Sequence, residues 1–205
     1  MYRKHIMIKV KDFIHDFPIE ALANKPPWHI TNMLSHLLTD MMAQLDQDFI
    51  VNDGVAIHKS ATIEQGVVLK APIVVSANSF IGAHAYLRGG VYLGEGVVIG
   101  PGCEIKSSLL CKKSSIAHFN FVGDSIIGNH VNFEAGAITA NYHNDREDKR
   151  IFVVYQSNVI DTGVDKFGSL IGDHSKIGAN AVLSPGTLLP KKSIVNRLEL
   201  IDQHR

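Results

Sequence analysis

The sequence predicts an all-β parallel solenoid, on three observations. Aliphatic residues recur every six positions, small residues recur at a fixed offset from them, and large rings are scarce while glycine is frequent. Every sixth residue from Val51 is aliphatic: Val51, Ile57, Ile63, Leu69, Val75, Ile81, Leu87, Leu93, Ile99 and Ile105. At 45% hydrophobic residues, ten in one frame has a chance of about 3 in 10,000. A second column stands four residues after each of these and is mostly small or β-branched: Val55, Ala61, Val67, Ile73, Ser79, Ala85, Val91, Val97, Cys103 and Leu109. Aromatics make up 7% of the chain against 17 glycines, a composition that suits narrow coils with tight corners. A period of six fits neither the 3.6 of a helix nor the spacing of hairpins. Three hexads make one coil, so Ile63, Ile81 and Ile99 stack at a strand spacing of about 4.8 Å. The length allows about seven such coils.

Residues 1–50 precede the repeat. Pro26-Pro27-Trp28 opens a stretch with Ile30, Met33, Leu34, Leu37, Leu38, Met41, Met42 and Leu45 at helical spacing, which predicts an amphipathic helix. It is expected to cap the open end of the solenoid. Residues 51–190 form the solenoid, with a phase slip. After Cys111 and Ala117 the register resumes at Phe121, Ile127, Phe133 and Thr139. Cys103 and Cys111 both fall on inward columns and are expected to be packing residues. From about 141 to 166 the repeat is lost. NDREDKR is followed by an alternating IFVVYQSNVIDTG, which predicts an ejected loop or hairpin. Repeats return at Ile171, Ile177, Leu183 and Leu189, and residues 191–205 read as a tail.

Several functions are excluded. The 20 basic and 20 acidic residues balance, against a nucleic-acid reader. No apolar run reaches the length of a membrane span, and MYRKHIMIKVKDF lacks the apolar core of a signal peptide. With two cysteines and no disulfide framework, a cytoplasmic protein is expected. No C-x-x-C occurs, and no two of the eleven histidines stand five apart, the spacing in solenoid enzymes of the γ-carbonic-anhydrase kind, so no metal is expected. G-x-S-x-G and phosphate-binding glycine loops are absent as well. A histidine general base remains. His118 lies between the slip and the loop, with Glu104 and Lys106 less than one coil upstream and Asn132, Asn141 and Tyr142 downstream. A neutral imidazole near pH 7 suits proton abstraction.

The segments LRGG, EIK and SSIAHFNFVGDSIIGNHVNFEAGAITANY, followed by VIDTGVDKFGSLIGD and SPG, resemble one family across roughly residues 25–190. It is the C-terminal acetyltransferase domain of bifunctional sugar-1-phosphate nucleotidylyltransferase/acetyltransferases, a hexapeptide-repeat family with a left-handed parallel β-helix. The resemblance implies a left-handed coil of triangular section, a homotrimer, acetyl-CoA as co-substrate, and no metal. The acceptor it implies is an amino-sugar phosphate such as glucosamine 1-phosphate, or a nucleotide-linked amino sugar. Carried over, His118 is the base and Glu104 the carboxylate that orients it. Arg88 and Lys106 bind the sugar phosphate, joined by Lys149 as a third nearby cation. Phe121, Asn132 and Tyr142 hold the sugar. Asn141 positions the thioester, the Ala135 N–H polarises its carbonyl, and Ala179 contacts the cofactor.

Phe121 stands where the family usually has Tyr, and Glu134 where it has Gly in an N-x-G-A-G pattern. The 205 residues are not expected to hold a nucleotidylyltransferase half. Two readings therefore stand side by side: an acetyl-CoA-dependent N-acyltransferase, and a non-catalytic or assembly module on the same scaffold. Phe121, Glu134 and the short stretch after Leu189 favour the second.

Overall fold

The computed structural model describes residues 7–203. Short parallel strands wind into a β-solenoid that fits a left-handed β-helix, with one α-helix among the described residues lying beside it. The first face carries Val55–His58, Ile73–Val75, the ends of Tyr86–Leu93 and Glu104–Leu110, then Ile126–Ile127, Ser169–Ile171 and Thr187–Leu189. The second is a 7-stranded ladder from Thr62–Ile63 to Ile194–Val195 that includes Ser115–Ile116 and Asn132–Phe133. The third carries Val68–Leu69, the beginnings of Tyr86–Leu93 and Glu104–Leu110, then Phe121–Gly123, Ile138–Thr139, Val182–Leu183 and Leu200–Ile201. Pairing thus runs past residue 190 through Ile194–Val195 and Leu200–Ile201, so these stretches of the expected tail belong to the ladders.

The predicted column from Ile57 to Ile105 points inward, and Ile81, Leu87, Leu93, Ile99 and Ile105 are fully buried. Val51 does not belong to it. That residue lies in Phe49–Asn52, which pairs antiparallel with Val55–His58, and it is 51% exposed. The phase slip has a simple cause. Thr62 pairs with Phe80 and Phe80 with Val98, eighteen residues apart, but Val98 with Ser115 and Ser115 with Asn132 lie seventeen apart. Each of these coils is one residue short. The inward column therefore continues as Leu110, Ile116, Val122, Ile127 and Phe133, and Cys111, Ala117 and Phe121 leave it. The next coil ejects the predicted loop, in which Phe152–Tyr155 pairs antiparallel with Asn158–Asp161. Gln156 and Ser157 turn between them with φ of 48° and 61°, the left-handed pair that a tight two-residue hairpin requires.

The helix, Pro27–Met42, does not cap an open end. It lies along the outward side of the first face, beside Ile73–Val75, Tyr86–Leu93 and Glu104–Leu110. Trp28, Ile30, Leu34 and Leu38 bury against Val74, Leu109, Ile126 and Leu170, with Ile8, Val10, Phe13 and Ile14 in the same second core. Each large side chain buried there contributes about 1.5–3 kcal/mol, which an end cap touching one coil could not match. Gly90 permits the close approach: its φ is +91°, and a Cβ there would press on the backbone of Ser35 in the helix. Asp173 fastens the N-terminal segment, its buried carboxylate accepting from the N–H of His15 and of Asn129, each at 2.7 Å.

Cys103 points into the solenoid, whereas Cys111 lies in the second core beneath the N-terminal layer. Burial pushes both thiols up, that of Cys111 well above its ordinary value. Since the thiolate is the reactive form, neither cysteine is expected to react with Ellman's reagent in the native protein. Both should titrate in denaturant; fast reaction of Cys111 under native conditions would show the N-terminal layer opening.

Candidate functional site

The corner that joins Ser115–Ile116 on the second face to Phe121–Gly123 on the third carries His118. One residue per coil stacks along it. The Phe119 N–H donates to Pro101, the Gly136 N–H to His118, the Asn180 N–H to Ala135 and the Leu198 N–H to Ala179, at 2.9–3.1 Å. His118, Ala135, Ala179 and Arg197 thus occupy successive coils of one edge. Buried Asn120 locks it, donating from Nδ2 to the His118 carbonyl (3.2 Å) and accepting from the Ala137 N–H (2.8 Å). The His118 imidazole is exposed and makes no hydrogen bond among the described residues.

On the third face, Arg88, Lys106, Phe121, Asn141, Tyr142 and Lys166 line a groove of about 440 Å³. Five of these residues were expected from the sequence. Arg88 and Lys106 are register partners on adjacent strands, and Glu104 stands opposite Phe121. The Glu104 carboxylate is taken by Arg88, whose Nε donates to Oε1 at 2.7 Å while Nη2 stands 2.7 Å from the same oxygen in an ion pair. No hydrogen bond joins Glu104 to His118 among the described residues, so within one protomer the expected orienting pair is not formed. Beneath the groove, Asp124 Oδ2 accepts from Lys106 Nζ and from Asn141 Nδ2. The side chains of Lys106 and Asp124 are 15% and 9% exposed, so this pair forms a floor rather than a surface contact. The same element closes the loop: the Gly168 N–H donates to the Asp124 carbonyl and the Phe167 N–H to that of Asn141. Lys149 does not line the groove; its ammonium lies over the Tyr142 ring at 5.3 Å.

A second groove, about 230 Å³, lies on the second face and includes Asn132, Glu134, Lys176, Gly178, Asn196 and Arg197. Asn132 is exposed there, away from the Arg88 groove. Glu134 accepts from the Ala179 N–H at 2.9 Å and takes Arg197 in a fork, Nε at 2.7 Å and Nη2 at 2.6 Å. The Arg197 guanidinium, seconded by the Ala179 N–H, holds the Glu134 carboxyl below the usual carboxylate range. The two grooves thus occupy the two faces that meet at His118. Asp124, Lys166, Asn120 and Arg197 were not anticipated. Asp124 and Asn120 stand inside the HFNFVGDSIIG motif and Lys166 at the point where the repeat resumes, and those positions were the available signals.

Among the described residues no helix is long and apolar enough to cross a membrane, and no group of three or more His, Cys, Asp or Glu could hold a metal ion. The chain is 34% identical over 181 residues to the bifunctional protein GlmU of Methanocaldococcus jannaschii, covering 86% of this chain and 44% of that protein. It is 33% identical over 180 residues to that of Methanococcus aeolicus, covering 86% and 43%. The chain therefore spans less than half the length of these relatives. Among solved structures, a perosamine N-acetyltransferase of Caulobacter crescentus, determined with CoA and GDP-perosamine, aligns with a TM-score of 0.31 at 19% identity, covering 78% of this chain and 59% of that one. Residues 70–203, from the third coil face through the last ladder strand, match the model of the GMPPB C-terminal domain, and the chain belongs to that family.

Proposed function

We propose that the protein is a CoA-dependent N-acyltransferase acting on an amino-sugar phosphate or a nucleotide-linked amino sugar, working as a cytoplasmic homotrimer. One observation carries the reading. Arg88, Lys106, Phe121 and the adjacent pair Asn141 and Tyr142 come from four successive coils and converge on one groove with Lys166, on a face that begins at the His118 corner. A CoA thioester supplies an activated acyl carbonyl. This chain's part is then to place an amine and take its proton. His118 has an exposed imidazole, without a hydrogen-bond partner among the described residues, for that proton, on a backbone pinned from two sides. Amine attack on a thioester needs positioning and one base, without an acyl-enzyme.

Charge pairing within the groove supports Lys166 as the anion's partner. Arg88 is neutralised by Glu104 and Lys106 by Asp124, while Lys166 has no carboxylate partner among the described residues. A phosphate entering the groove meets Lys166 as the uncompensated cation. The location of Asn132 and Glu134 on the neighbouring face supports a site completed by a second copy of the chain.

The test is thiol release from acetyl-CoA with glucosamine 1-phosphate, a nucleotide-linked amino sugar and unphosphorylated glucosamine. A phosphorylated acceptor should turn over, and Lys166→Ala should raise its KM about tenfold while changing that for glucosamine little. Absence of thiol release across the panel would sink the enzyme reading. The second reading, a non-catalytic or assembly module, would then stand, favoured by Glu134 lying across the Ala179 N–H and by the lack of a hydroxyl at Phe121.

A further inference from the structure

The second-face groove contains an anion-receptive arrangement that the chain fills with its own side chain. Arg197 offers a guanidinium fork, Ala179 a backbone N–H, and both converge on the single carboxylate of Glu134. Lys176 and Asn196 line the same groove, and Lys176 has no acidic partner among the described residues. A guanidinium fork takes phosphate oxygens as readily as carboxylate oxygens. With Glu134 swung away, the groove would present two cations and a free N–H, with no acid in its lining; Glu199 stands behind Asn196, accepting from its N–H and its Nδ2.

We propose that Glu134 is a built-in competitor for this groove, which must release Arg197 and the Ala179 N–H before the phosphates of a CoA-type ligand bind there. The inference rests on the acyl-CoA reading above for the identity of the ligand, but the competition itself rests on the geometry. Glu134 is anchored through its backbone, whose N–H donates to the Ile177 carbonyl at 2.8 Å. Only its side chain needs to move. The pair it leaves is solvent-accessible, with side chains 73% and 37% exposed for Arg197 and Glu134. Such pairs are screened and held weakly enough to exchange with an external anion. Glycine at this position would leave the groove open at all times. The carboxylate instead sets a threshold that a polyanionic ligand overcomes and a single small anion does not.

The experiment is calorimetric titration of coenzyme A and, separately, inorganic pyrophosphate into the full chain, as wild type, Glu134→Gln and Glu134→Gly. Circular dichroism and melting confirm that the variants fold. Both variants are expected to bind both probes about fivefold more tightly than wild type, the factor expected from freeing one exposed ion pair. Equal or weaker binding of both probes in both folded variants overturns the competitor. Coenzyme A binding of the same strength in all three proteins keeps the acyl-CoA reading and overturns the competitor. Tighter pyrophosphate binding with no coenzyme A binding supports the competitor and overturns the acyl-CoA reading. No binding of either probe to any of the three proteins overturns both.

Discussion

His118→Ala is expected to slow acyl transfer by about a hundred- to ten-thousand-fold, the usual worth of a positioned general base, and to leave the melting temperature unchanged. The two halves of that expectation come from different observations. The imidazole is exposed and has no protein partner among the described residues, so removing it opens no cavity and strands no buried group. The backbone around it is held by the Gly136 N–H and by Asn120, both of which donate to the His118 carbonyl. The corner therefore keeps its shape while the base is lost. Glu104→Gln separates two versions of the mechanism. Because Arg88 holds the Glu104 carboxylate, its amide variant should lose far less activity than His118→Ala and should show its effect mainly in KM. Losses of equal depth in kcat would mean that the carboxylate reaches the imidazole during turnover, and unaffected turnover in His118→Ala would remove the histidine from the mechanism.

The coil was legible because its cause is local. An aliphatic side chain must point inward on every face, and that requirement repeats without reference to the rest of the molecule. The coil length was less legible. A corner that loses one residue keeps the same small and polar composition, so the seventeen-residue coils at Val98–Ser115 and Ser115–Asn132 displaced the apparent column by one and put Cys111 on the wrong side of the wall. The position of the helix had a signal that the hexad frame hides. First-face strands are apolar at outward positions too, as in Ile73-Val74-Val75, Ser125-Ile126-Ile127 and Ser169-Leu170-Ile171. A strand apolar on both sides is buried on both sides, and that face had to be covered.

The site divides in the same way. Arg88 and Lys106 follow from coil spacing, since residues one coil apart are neighbours, whereas Phe121, opposite Glu104, entered through the family resemblance. Lys166 and Arg197 depend on how a 44-residue coil closes and where long side chains reach, which a linear repeat does not encode, whereas Asp124 stands one coil from both Lys106 and Asn141 and was within reach of the spacing argument. Within one protomer Asn132 lies on the second face and not in the Arg88 groove, because adjacent hexads lie on different faces, and only the folded corner shows which ones share a groove.

Asp124→Ala is the substitution expected to cost the fold most. It would leave the Lys106 ammonium, 15% exposed, without its counter-charge and the Asn141 amide without its acceptor. Breaking one side of a largely buried pair destabilises by about 3–5 kcal/mol, mostly through the charge left behind. For a chain of this size that lowers the melting temperature by roughly 6–20 °C. The damage should also reach the groove, because the loop that supplies Lys166 closes on the Asp124 and Asn141 carbonyls. A second variant separates these effects. In Asp124→Asn/Lys106→Met both charges are gone, so no ammonium is left uncompensated, and most of the lost stability should return. Acceptor binding should return with the fold, since Lys166, the groove cation without a carboxylate partner among the described residues, is left in place. Thermal melts of the two variants beside wild type decide the matter. If Asp124→Ala melts within about 1 °C of wild type, Lys106 reaches water without its partner, and the carboxylate is a surface ligand rather than the floor of the site.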